Sequence, residues 1–482
     1  MARRSPFLWR RIDVCPDLLR VHSARPERYP FLLESVSHEI GRHMGRNHYD
    51  ILFAFPGETL TLGPDFHRIG NERQDRASDF LGQLDRWLAE EAEEAAIPGP
   101  LSPKVPFRGG WFLYLGYELA AGIEPVLRPR FAGTAPAEPP SVEAGFPIAK
   151  AWRVPAAIIR DRRRGETILV AEARRAPLLA EMERDLSLID PVSEAPLFPA
   201  TPATGLLRGP AREDPPHEFL DRVARIRRYI REGDVFQVNL SRSWRGLLRE
   251  GVRSAHLYQR MRECNPAPFA GLAAWDDLAI ISSSPERLVR IRDGMVETRP
   301  IAGTYPRDPD PVTDGRLSDT LLAHPKERAE HIMLIDLERN DLGRICEHGS
   351  VEVDELMVLE SYTHVHHIVS NVRGRLAPGA TPGEVLRAVF PGGTITGCPK
   401  VRCMEIIHEL EQARRGPYTG AMGYLNRDGS ADLNILIRTI CRQGDGVSLR
   451  AGSGIVADSS PERELRETRH KARGPLRALL GQ

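Results

Sequence analysis

The apolar positions fall into two kinds of pattern. Short, nearly unbroken runs at Tyr49–Phe55 (YDILFAF), Gly110–Leu115 (GWFLYL), Ala156–Ile159 and Thr167–Ala171 read as strands. Between them, Asp79–Ala96 (DFLGQLDRWLAEEAEEAA) has the three-and-four spacing of an amphipathic helix. Later in the chain the same reading predicts helices over His217–Glu232, Pro325–Asp341, Thr381–Val389, Lys400–Glu411 and Ser460–Ala472. It predicts strands over Val235–Leu240, Asp277–Ser282, Arg287–Ile291, Ile435–Ile440 and Val447–Ala451. The elements mix without a regular βαβ period. An α+β architecture with a large, mainly antiparallel sheet therefore fits better than a doubly wound fold.

Residues 191–216 carry seven prolines in 26 positions and read as an extended linker; residues 122–148 read as a second proline-rich loop. The expected organisation is an N-terminal subdomain over 1–190, the linker over 191–216, and a larger domain over 217–482. A length of 482 residues, 41% hydrophobic and 27% charged, suits two or three globular domains and excludes disorder as the main state. Sixty-six acidic against sixty-six basic residues give no reason to expect nucleic acid or an anionic membrane as partner. No apolar run is long enough to span a membrane, and the basic start lacks the apolar core of a signal peptide. Six scattered cysteines without a Cys-x-x-Cys pair fit free thiols in a reducing cytoplasm. Only five of the basic residues are lysines (104, 150, 326, 400 and 471), three of them in the motif-rich C-terminal half. A lysine retained where arginine is the rule suggests a place where a compact ammonium is needed.

Several strings carry candidate chemistry. Glu327 and Glu330 share one helix face, and so do Glu464, Glu467 and Lys471 on a second helix, where Ser459 and Glu462 read as a capping box with Pro461 in the first turn. Two such carboxylate pairs are either solvated, salt-bridged faces or a Mg²⁺ site, since that ion bridges one or two carboxylates to an anionic substrate. Pro391–Lys400 (PGGTITGCPK) and Ala451–Val456 (AGSGIV) are either tight turns or backbone cradles for an anion. Arg438, inside the apolar string ILIRT, needs a carboxylate from the protein or from a ligand. Glu286, in SSSPER, is either a surface turn residue or a carboxyl with a raised pKa. Strand alternation separates His367 from His364 and His366, which argues against zinc. No nucleophile elbow or dinucleotide turn is present. Spacing alone reaches a Mg²⁺-dependent enzyme acting on a carboxylate substrate.

Taken in order, FQVNLS (236–241), NPAPF (265–269), SPER (284–287), TRPIAGT (298–304), KERAEH (326–331), ERNDLGR (338–344) and HHIVS (366–370) resemble the chorismate-utilising enzymes. So do PGGTITGCPKVR (391–402), GAMGY (420–424), LIRT (436–439), AGSGIVADS (451–459) and ERELRET (462–468). That family includes anthranilate synthase component I, aminodeoxychorismate synthase component I, isochorismate synthase and salicylate synthase. A weaker resemblance runs through RYPFLLES (28–35), YDILFAFP (49–56) and PFRGGWFLYLGYEL (106–119). The resemblance implies an antiparallel β-sandwich covered by helices. It implies Mg²⁺ on Glu330 and Glu467, an outer acidic layer of Glu327 and Glu464, and Glu286 as proton donor to the departing C4 hydroxyl. It further implies Arg438 and Tyr424 on the enolpyruvyl carboxylate, amides from Gly452, Ser453 and Gly454, and His367, Lys471 and Thr304 along the ring.

Gln237 stands where the isochorismate and salicylate enzymes carry the lysine that activates water, so ammonia is the expected nucleophile. Ala302, in PIAGT, replaces the lysine of many aminodeoxychorismate synthases and is the form typical of anthranilate synthase. SPER, ERNDLGR, PGGTITG and YDILFAFP resemble aminodeoxychorismate synthase instead, where anthranilate synthases more often read SPEM, GRNDLGR and PAGTxSG. LLES (32–35) resembles the tryptophan pocket of anthranilate synthases, although related strings occur in both. The peripheral strings together are weighed above the single position. The expectation is 4-amino-4-deoxychorismate, made with ammonia from a separate glutamine amidotransferase and passed to an aminodeoxychorismate lyase. Anthranilate synthase component I is the alternative, and a non-catalytic chorismate- or tryptophan-binding homologue the third reading.

Overall fold

The computed structural model describes residues 6–36, 48–66, 79–92, 104–132, 141–189, 197–198, 205–362 and 365–481. Among them two large sheets, of twelve and ten strands, lie face to face under helices, and every strand pairing is antiparallel. The expected helix-covered antiparallel sandwich is thus the fold. The twelve-stranded sheet runs Phe7–Ile12, Glu166–Glu172, Ala156–Asp161, Tyr49–Ala54, Phe31–Glu34, Phe269–Trp275, Leu278–Ser284, Thr439–Gln443, Gly446–Ile455, Gln237–Leu247, Gly397–Cys398, with Arg212–Glu213 also paired to Gln237–Leu247. The ten-stranded sheet runs Ile301–Pro306, Val365–Arg375, Met295–Thr298, Arg287–Arg292, Ala431–Ile435, Ala421–Asn426, Gly110–Leu115, Ala149–Val154, Thr59–Leu62, with Glu352–Ser361 also paired to Val365–Arg375. Both sheets draw strands from either side of the proline-rich segment. Of that segment, Leu206 and Leu207 are buried against the body, and Leu207 bridges to Leu248.

The unbroken apolar runs follow from this layering. In Tyr49–Ala54, Ile51 and Phe53 face the core between the sheets, whereas Leu52 and Ala54 face the helices outside. In Gly110–Leu115, Phe112 and Tyr114 point inward, and Trp111, Leu113 and Leu115 point to the second helical layer. A strand covered on both faces has no polar side, so period-two alternation disappears. Phe31 and Phe112 stack across the sheets with ring centroids 4.2 Å apart. Helices Leu18–Ala24, Pro177–Ser187, Ser254–Cys264 and Pro461–Leu480 cover the first sheet; Phe80–Ala92, Pro325–Gly343 and Pro382–Val389 cover the second. No helix among the described residues is long and apolar enough to cross a membrane.

Three local expectations change. Ser459 does not cap the last helix: its hydroxyl accepts from the Val456 amide, and the helix starts at Pro461 after Ser460. The predicted strand Ile435–Ile440 is two strands, Ala431–Ile435 and Thr439–Gln443, that belong to different sheets. The strand predicted over Val447–Ala451 runs on through Gly452 and Gly454 to Ile455.

A buried ion cluster ties this last strand to its neighbour. Glu411, at the end of helix Lys400–Glu411, accepts from the Ser241 amide and hydroxyl at 2.8 Å each, from Arg415 at 2.7 Å and from Arg450 at 2.9 Å. Burial opposes its ionisation, but the two guanidiniums outweigh it and hold the carboxyl at about 2. Glu411→Ala strands both guanidiniums in the core and is expected to cost about 3–5 kcal/mol. Urea unfolding of the variant measures this; an unchanged midpoint would contradict it.

Candidate active site

Two chain segments cross from one sheet to the other side by side. The first passes from Leu278–Ser284 to Arg287–Arg292 through Pro285 and Glu286. The second passes from Ala431–Ile435 to Thr439–Gln443 through Leu436, Ile437 and Arg438. The crossings satisfy each other's backbone: the Ile435 amide donates to the Glu286 carbonyl at 3.0 Å, and the Ser283 amide to the Arg438 carbonyl at 3.2 Å. Arg438 sits at φ +53°, a strained conformation for a residue with a Cβ.

Glu286 is 5% exposed. Burial pushes its carboxyl up to about 8; the neighbouring Glu338 charge adds to this, and Thr394, the Ile301 amide and Lys471 oppose it. It is therefore a protonated carboxylic acid at neutral pH, suited to donate a proton. On the neighbouring crossing, the Arg438 guanidinium makes no ion pair among the described residues. Desolvation lowers its pKa, partly offset by Tyr418 and Glu467. His367, on Val365–Arg375, is paired in register with Thr304 on Ile301–Pro306, and the Thr304 hydroxyl meets His367 Nδ1 at 2.9 Å. Burial, then Arg438, push this imidazole down to about 4, so it is neutral. Ala302 is buried one register step away, opposite Ile368. His366 turns to Asp314 at 3.0 Å, separate from His367; His364 lies outside the described residues.

The acidic helices converge beside this corner. Gln237 Nε2 donates to Glu330 Oε1 at 3.2 Å, while Gln237 Oε1 is buried without a partner. Burial, then Glu327, raise the Glu330 pKa; Glu467 adds to the repulsion and Lys471 relieves it. Glu467 pairs with Lys471 at 2.7 Å; burial opposes its ionisation, but Lys471, Ser453 and Arg463 outweigh it and lower its pKa. Lys471 also donates to the Gly452 carbonyl at 3.1 Å. Glu464 is buried and receives the Ser453 hydroxyl. Gly454 allows this closeness: a Cβ there would collide with Gln237 Nε2 and approach Glu330 Oε1 to 3.6 Å. A Cβ at Gly452 would meet Asn239 Oδ1 at 2.6 Å and the Tyr418 hydroxyl at 2.7 Å.

Among the described residues, no three His, Cys, Asp or Glu side chains gather closely enough to hold a metal by themselves. Mg²⁺ does not need such a cage, because it keeps waters and takes one or two carboxylates plus substrate oxygens. Glu330 and Glu467, mutually repelling hard oxygen donors, fit that requirement.

Tyr424 is not part of this group. It packs against Phe53 and Phe107 and lines a cavity of about 960 Å³ together with Leu33, Glu34, Ser35 and Arg287. Alternation along Ala421–Asn426 carries its ring between the sheets. Tyr418 stands near Arg438 and Gly452 in its place. Tyr418, Thr394 and Glu338 were not singled out from the sequence. Tyr418 precedes Thr419, which sits at φ +62°; Gly416-Pro417 and Gly420 mark a turn there, but nothing in the string marks Tyr418 as facing the site.

A family model described as chorismate binding enzyme matches residues 51–477. The chain belongs to the chorismate-binding enzyme family. It is 39% identical to anthranilate synthase component 1 of Synechocystis sp., covering 95% of this chain and 92% of that one. It is 46% identical to aminodeoxychorismate synthase component 1 of Bacillus subtilis, over 62% of this chain and 63% of that protein. The crystal structure of anthranilate synthase component I from Streptococcus pneumoniae superposes with a TM-score of 0.74 at 29% identity, covering 91% and 94% of the two chains.

In this family member the buried acid carries a stability signature. The Glu286 carboxyl titrates near 8 when folded and near 4.5 when exposed. Its contribution to stability is complete below the ordinary carboxyl range and lost as pH rises through about 8. Glu286→Gln, which cannot ionise, is expected to gain stability relative to wild type as pH rises from 5 to 9. Thermal melts across that range check it; a pH-independent difference would contradict it.

Proposed function

We propose that this enzyme aminates chorismate with ammonia delivered by a separate glutamine amidotransferase, forming 4-amino-4-deoxychorismate and water. The observation that carries the amination is the corner itself: a protonated Glu286 on one crossing and, on the crossing bonded to it, a guanidinium, Arg438, that makes no ion pair among the described residues. Chorismate is a dianion, and the two ends of the site suit its two carboxylates. Arg438, with the Tyr418 hydroxyl nearby, would take the enolpyruvyl carboxylate. Glu330 and Glu467 would hold Mg²⁺, with Glu327 supporting the acidic layer, and the bound ion would supply the positive charge that the ring carboxylate needs.

Ammonia forms a bond to C2 as Glu286 gives its proton to the C4 hydroxyl, which leaves as water and not as hydroxide. The new ammonium returns a proton to Glu286, and a second displacement by ammonia at C4 expels the C2 amine and leaves the amino group at C4. Neutral His367, steadied by Thr304, and Lys471 border the ring without competing for that proton. Gln237 is an amide held on Glu330 and is no base, so it does not activate water in ammonia's place. Ala302 offers no nucleophile, so no enzyme–substrate bond forms at that position.

The product assignment draws on one structural feature. ERNDLGR differs from GRNDLGR at Glu338, and that residue is buried against the acid at Glu286. 4-Amino-4-deoxychorismate would then pass to a separate lyase. Anthranilate formation is the second reading, supported by Ala302 and by relatives named anthranilate synthase component 1 that match this chain over most of its length.

Purified protein incubated with chorismate, ammonium and Mg²⁺ tests both levels. The expected result is a non-fluorescent amino-chorismate that yields 4-aminobenzoate once the lyase is added. Fluorescent anthranilate with released pyruvate overturns the product assignment, and unchanged chorismate overturns amination. Glu286→Gln is expected to lower turnover about 10²–10⁴-fold with substrate affinity retained.

A further inference from the structure

Helix Pro325–Gly343 carries more acid than the substrate contacts explain. Glu327 and Glu330 stand in its first turns; Glu338 and Asp341 follow two to three turns later, roughly 12 Å along the axis from Glu330. Glu338 is 6% and Asp341 3% exposed. The Lys400 ammonium, from helix Lys400–Glu411, pairs with Asp341. The one-turn helix Gly393–Ile395 lies between this pair and Glu286. Gly393 lies against Glu338, and the next residue, Thr394, acts on Glu286, although its buried hydroxyl makes no hydrogen bond among the described residues. A side chain at position 393 would approach Glu338 Oε1 to 3.3 Å. Adjacent residues of one turn thus border two buried carboxyls.

Two such groups cannot both ionise cheaply, and the surroundings decide which one does. Glu338 faces the Gly393 amide, the Thr298 hydroxyl, Asp341 on its own helix, and Lys400. Glu286 faces Thr394, the Ile301 amide, Glu338 and Lys471. The cation that acts on Glu338 is Lys400, paired with Asp341 one turn along the same helix.

We propose that Glu338 is a positioning residue for acid catalysis: its negative charge, anchored by the Gly393 amide and the Lys400–Asp341 pair, keeps the proton on Glu286. This rests on the reading of Glu286 as the acid that protonates the C4 hydroxyl. Burial pushes both carboxyls up, and the Glu338 charge raises the Glu286 carboxyl further. The pair titrates jointly, so the proposal concerns the proton's residence at neutral pH.

The test compares wild type, Glu338→Gln and Glu338→Asp across pH, reading chorismate consumption at saturating ammonia whatever the product. Activity needs the protonated acid, so it falls as pH rises through the Glu286 pKa. Removing the Glu338 charge is expected to move that alkaline limb about one unit lower, which is roughly a fivefold loss at pH 8 and almost none at pH 6. Glu338→Asp, which keeps the charge, is expected to restore the limb. A limb that stays in place, or a loss equal at both pH values, overturns the proposal. Glu338→Gly, the residue of the GRNDLGR string, is a second neutral variant should glutamine prevent folding.

A second readout needs no turnover. The infrared band of the protonated Glu286 carboxyl, assigned by its disappearance in Glu286→Gln, is titrated with and without Glu338→Gln. An acidward shift supports the proposal even if chorismate proves not to be the substrate. An unmoved band overturns it even in an active enzyme.

Discussion

The site depends on a single topological constraint: two adjacent strands leave one sheet and enter the other at the same corner. A strand that changes sheets loses its ladder partners over the residues that cross, and those backbone groups need new ones. Here each crossing supplies them to the other, through Ile435 to Glu286 and Ser283 to Arg438. The mutual bonding fixes the spacing between an acid and a cation that are 152 positions apart in sequence (438 − 286). It also forces Arg438 into a left-handed conformation, strain that the surrounding sheets can bear because both are covered by helices.

Electrostatic order follows from that corner. Glu286 is dry and keeps its proton, while the helices Pro325–Gly343 and Pro461–Leu480 bring Glu330 and Glu467 to the neighbouring wall. Lys471 sits between the two walls, paired with Glu467 and anchored on the Gly452 carbonyl. The buried Glu411 cluster holds the strands Gln237–Leu247 and Gly446–Ile455 in register beneath them. The result is a site with one acid, one guanidinium that makes no ion pair among the described residues and one set of crowded carboxylates. On the proposed reading, a ligand with two negative charges and a divalent cation would balance it.

Most elements were legible in the residue string because both periods are strong. Gly110–Leu115 and Lys400–Glu411 match the expected bounds, and Pro216–Arg231 lies within one residue of them. Arg438 was placed in a continuous strand because ILIRTI is apolar throughout; a sheet change leaves no mark in hydrophobicity when both sheets are buried. Ser459 looked like a cap because spacing cannot show that its hydroxyl serves Val456. Tyr424 and Tyr418 are six residues apart in one motif, and only the direction of Ala421–Asn426 separates them. The Glu330–Gln237 contact joins residues 93 positions apart and was reachable only through resemblance to a family.

The central claim is that the corner takes a dianion, one carboxylate on Arg438 and the other, through Mg²⁺, on Glu330 and Glu467. Calorimetric binding of chorismate without ammonia tests it directly, in wild type and Arg438→Met, each with and without Mg²⁺. The account predicts tight binding only for wild type with Mg²⁺, and a loss of at least about tenfold, or 1.4 kcal/mol, when either the guanidinium or the ion is removed. Equal affinity in all four conditions would contradict it.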